Sequence, residues 1–190
     1  MQIGLFFGSF NPIHQGHLML ANYMLEYAGL QEVWFIVSPQ NPLKDKKNLL
    51  AEQDRFDMVT KAIDEFPRFR AIDIEFHMPK PSYTIDTLVR LTERHPSHNF
   101  YLICGMDALQ SFHKWKNYNQ ILGSCNILVY PRKDADGGQF SEHPSVKIVD
   151  APQLEVSSSF IRKAISESKN VQFFLPHGVY QYIILKRFYL

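Results

Sequence analysis

The residues from Ile3 to Phe7 form an unbroken apolar run closed by Gly8, and this limits what the chain can fold into. A strand that alternates apolar and polar residues can leave one face in water, but a continuous run needs cover on both faces. The same pattern recurs at Val33 to Val37, Phe100 to Cys104 and Ile127 to Tyr130, with further candidates at Phe69 to Ile74 and Val146 to Val149. Helical spacing separates these runs. Leu18, Leu20, Ala21, Met24, Leu25 and Ala28 recur after His17, with Gly29 as the closing residue. Ala51 to Phe66 repeats through Phe56, Val59 and Ile63, and Ser82 to Arg94 places Ile85, Leu88 and Val89 on one side. Ser157 to Ile165 and Pro176 to Phe188 read as two late helices. Strands alternating with helices predict an α/β fold, a doubly wound parallel sheet in one domain of 190 residues.

Composition excludes several classes. Lys plus Arg is 20 against 19 for Asp plus Glu, a net charge of +1, so no chain-wide basic surface for nucleic acid is expected. No apolar run approaches the ~20 residues of a membrane span, and the first residues lack the basic segment of a signal peptide. Cys104 and Cys125 lie in apolar runs without metal spacing, which suggests free thiols and a cytoplasmic setting. Lys133 to Pro144, centred on Gly137-Gly138, reads as a mobile surface loop. Nothing in the sequence fixes an oligomeric state.

In doubly wound sheets, ligands bind beyond the carboxyl ends of the strands. The segment after the first strand, Gly8-Ser9-Phe10-Asn11-Pro12-Ile13-His14-Gln15-Gly16-His17, carries neither GxGxxG nor GxxxxGK. It nevertheless joins a glycine turn to a helix start, where free N–H groups attract anions, and His14 and His17 add donors. The pair could also serve zinc, but a third protein ligand is not evident. Near the other end, Ser157, Ser158 and Ser159 can cap a helix whose first turn holds Arg162. By itself this is either an ordinary cap with a solvated arginine or a phosphate site.

The segment Gly8-Ser-Phe-Asn-Pro-Ile-His14-Gln-Gly-His17 resembles the HxGH signature of the nucleotidyltransferase superfamily, and Val156-Ser-Ser-Ser-Phe-Ile-Arg162 is similar to its Ile-Ser-Ser-Thr-x-Ile-Arg segment. Valine stands for isoleucine and serine for threonine. Within that superfamily the chain looks most like the nicotinate-nucleotide adenylyltransferases. The supporting segments are Pro39-Gln-Asn-Pro-Leu-Lys44, Ser82-Tyr-Thr84-Ile-Asp-Thr-Leu88 and Gly105-Met-Asp107, followed by Trp115.

The resemblance implies a Rossmann-like fold in which residues from about 157 onward complete the ATP site. It also implies joining of ATP and nicotinate mononucleotide to give nicotinate adenine dinucleotide and pyrophosphate, a step of NAD biosynthesis assisted by Mg²⁺. His14, His17 and Arg162 would meet the triphosphate. Gly8, Ser9, Phe10, Gly105, Asp107 and Ser157 to Ser159 would surround ATP. Lys44, Thr84, Trp115 and Arg132 would take the acceptor nucleotide. Asp107 could instead cap a helix, Trp115 could be core packing, and Lys44 could be a solvated charge. Pro131-Arg132-Lys133 replaces the Arg-Pro-Gly-like turn of the family. Transfer to nicotinamide mononucleotide or phosphopantetheine, or nucleotide sensing without turnover, are the competing readings.

Overall fold

A computed structural model of the chain describes residues 1–40 and 48–190. Six strands, β1 (Gln2–Gly8), β2 (Glu32–Val37), β3 (Phe69–Ile72), β4 (Asn99–Gly105), β5 (Asn126–Tyr130) and β6 (Val146–Ile148), form one parallel sheet in the order β3-β2-β1-β4-β5-β6. The helices are α1 (Gln15–Tyr27), α2 (Glu52–Ile63), α3 (Thr84–Arg94), α4 (Met106–Gln110), α5 (Tyr118–Ser124), α6 (Ser158–Ser166) and α7 (His177–Lys186). This is the doubly wound parallel α/β arrangement expected from the apolar runs, and the Rossmann-like fold that the resemblance implies.

The continuous runs work by sorting alternate residues to opposite faces. Phe6, Val33, Phe35 and Val37 join the core under α1, α2, α6 and α7, with Met24, Met58, Ile161 and Val179. Ile3, Leu5, Trp34 and Ile36 join the other core under α3, α4 and α5, with Leu88, Leu109, Phe112 and Ile121. The late helices are therefore part of the main core. The chain runs outward from β1 to β3, then returns to place β4 on the free side of β1. The crevice at this switch lies between the carboxyl ends of β1 and β4.

Several expectations are corrected. α1 starts at Gln15 with His14 as its N-cap residue, two residues before the apolar period begins. Gly29 follows that helix at φ +79°, a conformation that other residues adopt only with strain. α2 ends at Ile63, and Phe66 lies beyond it, exposed. Val89 does not share the buried face of Ile85 and Leu88 but is half exposed; Leu91 takes the place on that face. The segment after β5 is more than a surface loop. Gly138–Phe140 forms a 3₁₀ turn, Phe140 packs edge-on against Phe112 at 5.7 Å, and the φ of Gly137 is +80° where a Cβ would meet Met106 Sδ at 2.7 Å. Cys104 and Cys125 are free thiols that burial pushes up to about 12 and about 11. No helix among the described residues is long and apolar enough to cross a membrane.

One side chain ties the strand ends together. Arg55 of α2 is completely buried and donates to four backbone carbonyls: Ser9 (2.6 Å), Ser38 (2.8 Å), Pro39 (3.0 Å) and Leu50 (3.0 Å). Burial lowers its pKa from the ordinary arginine value, partly offset by Glu52 and Tyr189. Replacement by methionine fills similar space but strands these carbonyls, so Arg55→Met is expected to lower unfolding stability by about 3 kcal/mol or more. Urea unfolding of both proteins measures this; a loss below about 1 kcal/mol would mean that water or repacking satisfies the carbonyls.

Candidate active site

The carboxyl ends of β1, β4 and β5 and the starts of α3 and α6 surround a cleft of about 770 Å³. Gly8 ends β1, and the chain then folds back so sharply that a Cβ on Gly8 would lie 2.7 Å from the Phe10 ring. Phe10 has φ +45°, and its ring is buried against Phe6, Phe35 and His17. The Phe10 side chain thus shapes the turn from beneath.

The two histidines of this loop are stacked, with ring centroids 3.7 Å apart. The His14 backbone N–H donates to His17 Nδ1 at 3.2 Å, which orients the second ring. His14 is buried, and burial first, then the charge of Arg132, lowers its pKa from 6.5 to about 4. It is neutral at pH 7, so its ring can offer a ligand an N–H but not a charge. A Cβ on Gly16 would stand 3.1 Å from His14 Nδ1, so glycine makes room for the ring. No group of three or more His, Cys, Asp or Glu that could hold a metal ion occurs among the described residues.

The two segments singled out at opposite ends of the sequence meet here. Ser157 caps α6, its Oγ accepting from Phe160 N at 3.1 Å. Ser158 Oγ donates to the Pro12 carbonyl at 2.9 Å, and Arg162 Nη1 donates to the Asn11 carbonyl at 2.8 Å. Arg162 Nη2 also reaches Ser159 Oγ at 3.2 Å. Arg162 is therefore anchored on the histidine loop and half-buried, unlike a solvated arginine. Asn11, read in the sequence only as part of the first motif, is a hydrogen-bond junction. Its Oδ1 accepts from Tyr189 OH (2.8 Å) and Leu50 N (3.3 Å), and its Nδ2 donates to Asn48 O (2.8 Å).

Gly105 is the N-cap residue of α4, and a Cβ there would meet Asp107 Oδ1 at 2.4 Å. Arg132 contacts this group: its Nε lies 4.0 Å from Asp107 Oδ1 and its guanidinium 5.1 Å from the Tyr130 ring centre. Thr84 is the first residue of α3, and Trp115 is half-buried on the same cleft, its ring 5.0 Å from that of Phe112. Lys44 lies outside the described residues. Asp86 turns to Lys116, whose Nζ is 2.8 Å away and sits 4.7 Å over the Tyr83 ring.

Glu75 also lines the cleft, and sequence reasoning missed it. It is buried, its Oε2 accepting from Ser82 Oγ at 2.6 Å and its Oε1 from Thr87 Oγ1 at 2.7 Å. Its signal was an acidic residue within an apolar segment, Ile74-Glu75-Phe76.

The neutral His14 makes stability depend on acid. The unfolded chain takes up this proton near pH 6.5 and the folded chain only near pH 4. Stability is thus complete above about 6.5 and falls as pH drops through that window. Between pH 7 and 4.5 His14 should account for about 2.5 kcal/mol of lost stability. Urea unfolding of wild type and His14→Asn at the two pH values gives the difference; equal acid sensitivity would contradict the burial argument.

The cytidylyltransferase-like family matches residues 5–164. A protein of Cytophaga hutchinsonii named "Probable nicotinate-nucleotide adenylyltransferase" is 50% identical over 189 residues, covering 100% of this chain and 98% of its own length. Proteins of the same name from Flavobacterium johnsoniae and Bacteroides thetaiotaomicron are 47% and 46% identical, spanning 100% and 96% of this chain and 99% and 91% of their own lengths. The solved Plasmodium falciparum nicotinic acid mononucleotide adenylyltransferase complexed with NaAD superposes with a TM-score of 0.84 at 22% identity, covering 99% of this chain and 97% of that one. At that identity the likeness is one of fold.

Proposed function

The chain belongs to the cytidylyltransferase-like family, among its nicotinate-nucleotide adenylyltransferases, and from that membership we propose how its residues perform the reaction. The enzyme joins ATP and nicotinate mononucleotide, giving nicotinate adenine dinucleotide and pyrophosphate, a step of NAD biosynthesis. A bond forms from the acceptor phosphate oxygen to the α-phosphorus of ATP, and the bond to pyrophosphate breaks. The attacking phosphate is already ionised at pH 7, so neither a general base nor a covalent nucleophile is required. Catalysis then rests on positioning and charge stabilisation.

The observation that carries this reading is the junction of the two ends of the sequence. Ser158 and Arg162 bond to the Pro12 and Asn11 carbonyls, which brings the N-terminus of α6 beside the two stacked histidines. Helix N-terminal amides, two imidazoles and a guanidinium suit a triphosphate. We assign His14, His17 and Arg162 to it. Gly8, Ser9, Gly105, Asp107 and Ser157 to Ser159 we assign to the rest of ATP. A divalent cation, Mg²⁺ in this proposal, travels with the ATP phosphates and neutralises charge there. Thr84, Trp115 and Lys44 are assigned to the acceptor. Arg132 contacts Tyr130 and Asp107, so its reach toward the acceptor phosphate would need a change of rotamer.

His17→Ala removes a preorganised donor and is expected to lower kcat about 10²–10³-fold with the fold intact. Pyrophosphate release with a circular dichroism control reads both; more than about a third of wild-type kcat would remove His17 from the phosphate site.

Acceptor choice is a second test. Thr84 and the amides at the start of α3 are donors, which satisfy a carboxylate and leave a carboxamide NH₂ unpaired. The acid nucleotide should show at least about tenfold higher kcat/KM than the amide nucleotide, one decade per 1.4 kcal/mol. Both are measured at saturating ATP; equal values would mean dual specificity and leave Thr84 without this role.

A further inference from the structure

Glu75 stands out as a buried acid whose role the fold does not explain. It is 2% exposed, and no lysine, arginine or histidine pairs with it among the described residues. Lys116 pairs with Asp86, Lys80 with Glu52, and Arg90 reaches toward the His77 carbonyl, while Lys114, which also lines the cleft, forms no ion pair with Glu75. A buried carboxylate without a counter-charge is costly, and hydrogen bonds offset only part of that cost. The Ser82 and Thr87 hydroxyls occupy one position on each oxygen, whereas an ionised carboxylate offers about four lone-pair positions. The group therefore keeps half its capacity, and it borders the cleft beside Ser82, Tyr83 and Thr84.

We propose that Glu75 is a specificity-determining residue whose negative charge recognises the positively charged ring of a pyridinium mononucleotide. This rests on the acceptor assigned above. The ring nitrogen of such a nucleotide is quaternary, so its charge is fixed and cannot be hydrogen-bonded; only an opposite charge or a π face can select it. Trp115 supplies a face on the same cleft and Glu75 the charge. The exocyclic carboxylate of the acceptor is left to Thr84 and the α3 amides. The hydroxyls of Ser82 and Thr87 hold the Glu75 carboxyl in place.

The experiment compares nicotinate mononucleotide with its 1,4-dihydro form, which keeps the carboxylate and phosphate but has a neutral ring. Each is measured at saturating ATP as substrate or, if it is not turned over, as competitive inhibitor. Wild type should prefer the charged ring, and Glu75→Gln should lose at least about tenfold on it while changing less than about threefold on the neutral ring, with KM for ATP unchanged. Glu75→Asp, which restores the charge, should restore the preference even if both rates fall. Ser82→Ala removes one hydroxyl but leaves the charge and the Thr87 bond and should also retain the preference, which keeps the test open if the Gln variant is unstable. An equal loss on both rings, or none on the charged ring, would overturn the proposal and leave Glu75 as a support for α3. Wild-type enzyme inactive toward every pyridine mononucleotide would instead refute the acceptor assignment itself.

Discussion

Four carbonyls converging on the Arg55 guanidinium are the constraint on which the ligand end of this fold depends. A parallel sheet leaves loops of differing course at its carboxyl edge, and nothing in the strand ladder fixes one loop against another. Arg55 does so from inside. It takes Ser9 from the loop after β1, Ser38 and Pro39 from the loop after β2, and Leu50 from the approach to α2. No carboxylate among the described residues pairs with it, and its donors are spent on backbone. An arginine suits this role because its planar fork presents five N–H groups in fixed directions, whereas lysine would present three from a single point.

That clamp has consequences for the chemistry. In a trans peptide the N–H points opposite to its C=O, so the Ser9 carbonyl drawn to Arg55 turns the Phe10 N–H away from it. Two further carbonyls of the loop are committed as well, Asn11 to Arg162 and Pro12 to Ser158. A loop whose acceptors are taken in this way presents little negative charge to the phosphate proposed to bind there. Asn11 adds the side-chain counterpart, binding Asn48, Leu50 and Tyr189. The histidine loop is thus held by α2, α6 and the residues after α7, and a donor set placed this way needs little reorganisation during reaction.

The strands and the two end motifs were legible in the sequence because both are local signals. A run such as Val33 to Val37 announces its two covered faces, and glycine with histidine beside a helix start announces an anion site. α4 and α5 were not legible: helices of five and seven residues are too short to develop a 3.6-residue period. Arg55 was hidden for a different reason. It sits among Glu52, Asp54 and Asp57, where a charge reads as solvated surface, and only the fold shows that its side chain turns inward. Asn11 and Glu75 were hidden likewise, since their partners lie up to 178 residues away for Asn11 and 7 and 12 residues away for Glu75. The Lys44 segment lies outside the described residues, so its sequence reading stands without a structural counterpart.

Arg55 and Glu75 are both buried charges without an ion-pair partner among the described residues, yet they lead to opposite readings. The difference is saturation. Arg55 spends donors on four carbonyls, and its surroundings are loops that need fastening. Glu75 has two hydroxyl partners for about four lone-pair positions and borders the cleft. A buried charge whose hydrogen-bonding capacity is nearly filled is accounted for by the fold alone. One that remains half unsatisfied at the wall of a binding site calls for a partner that arrives with the ligand, and among the groups of a pyridinium nucleotide only the ring carries positive charge.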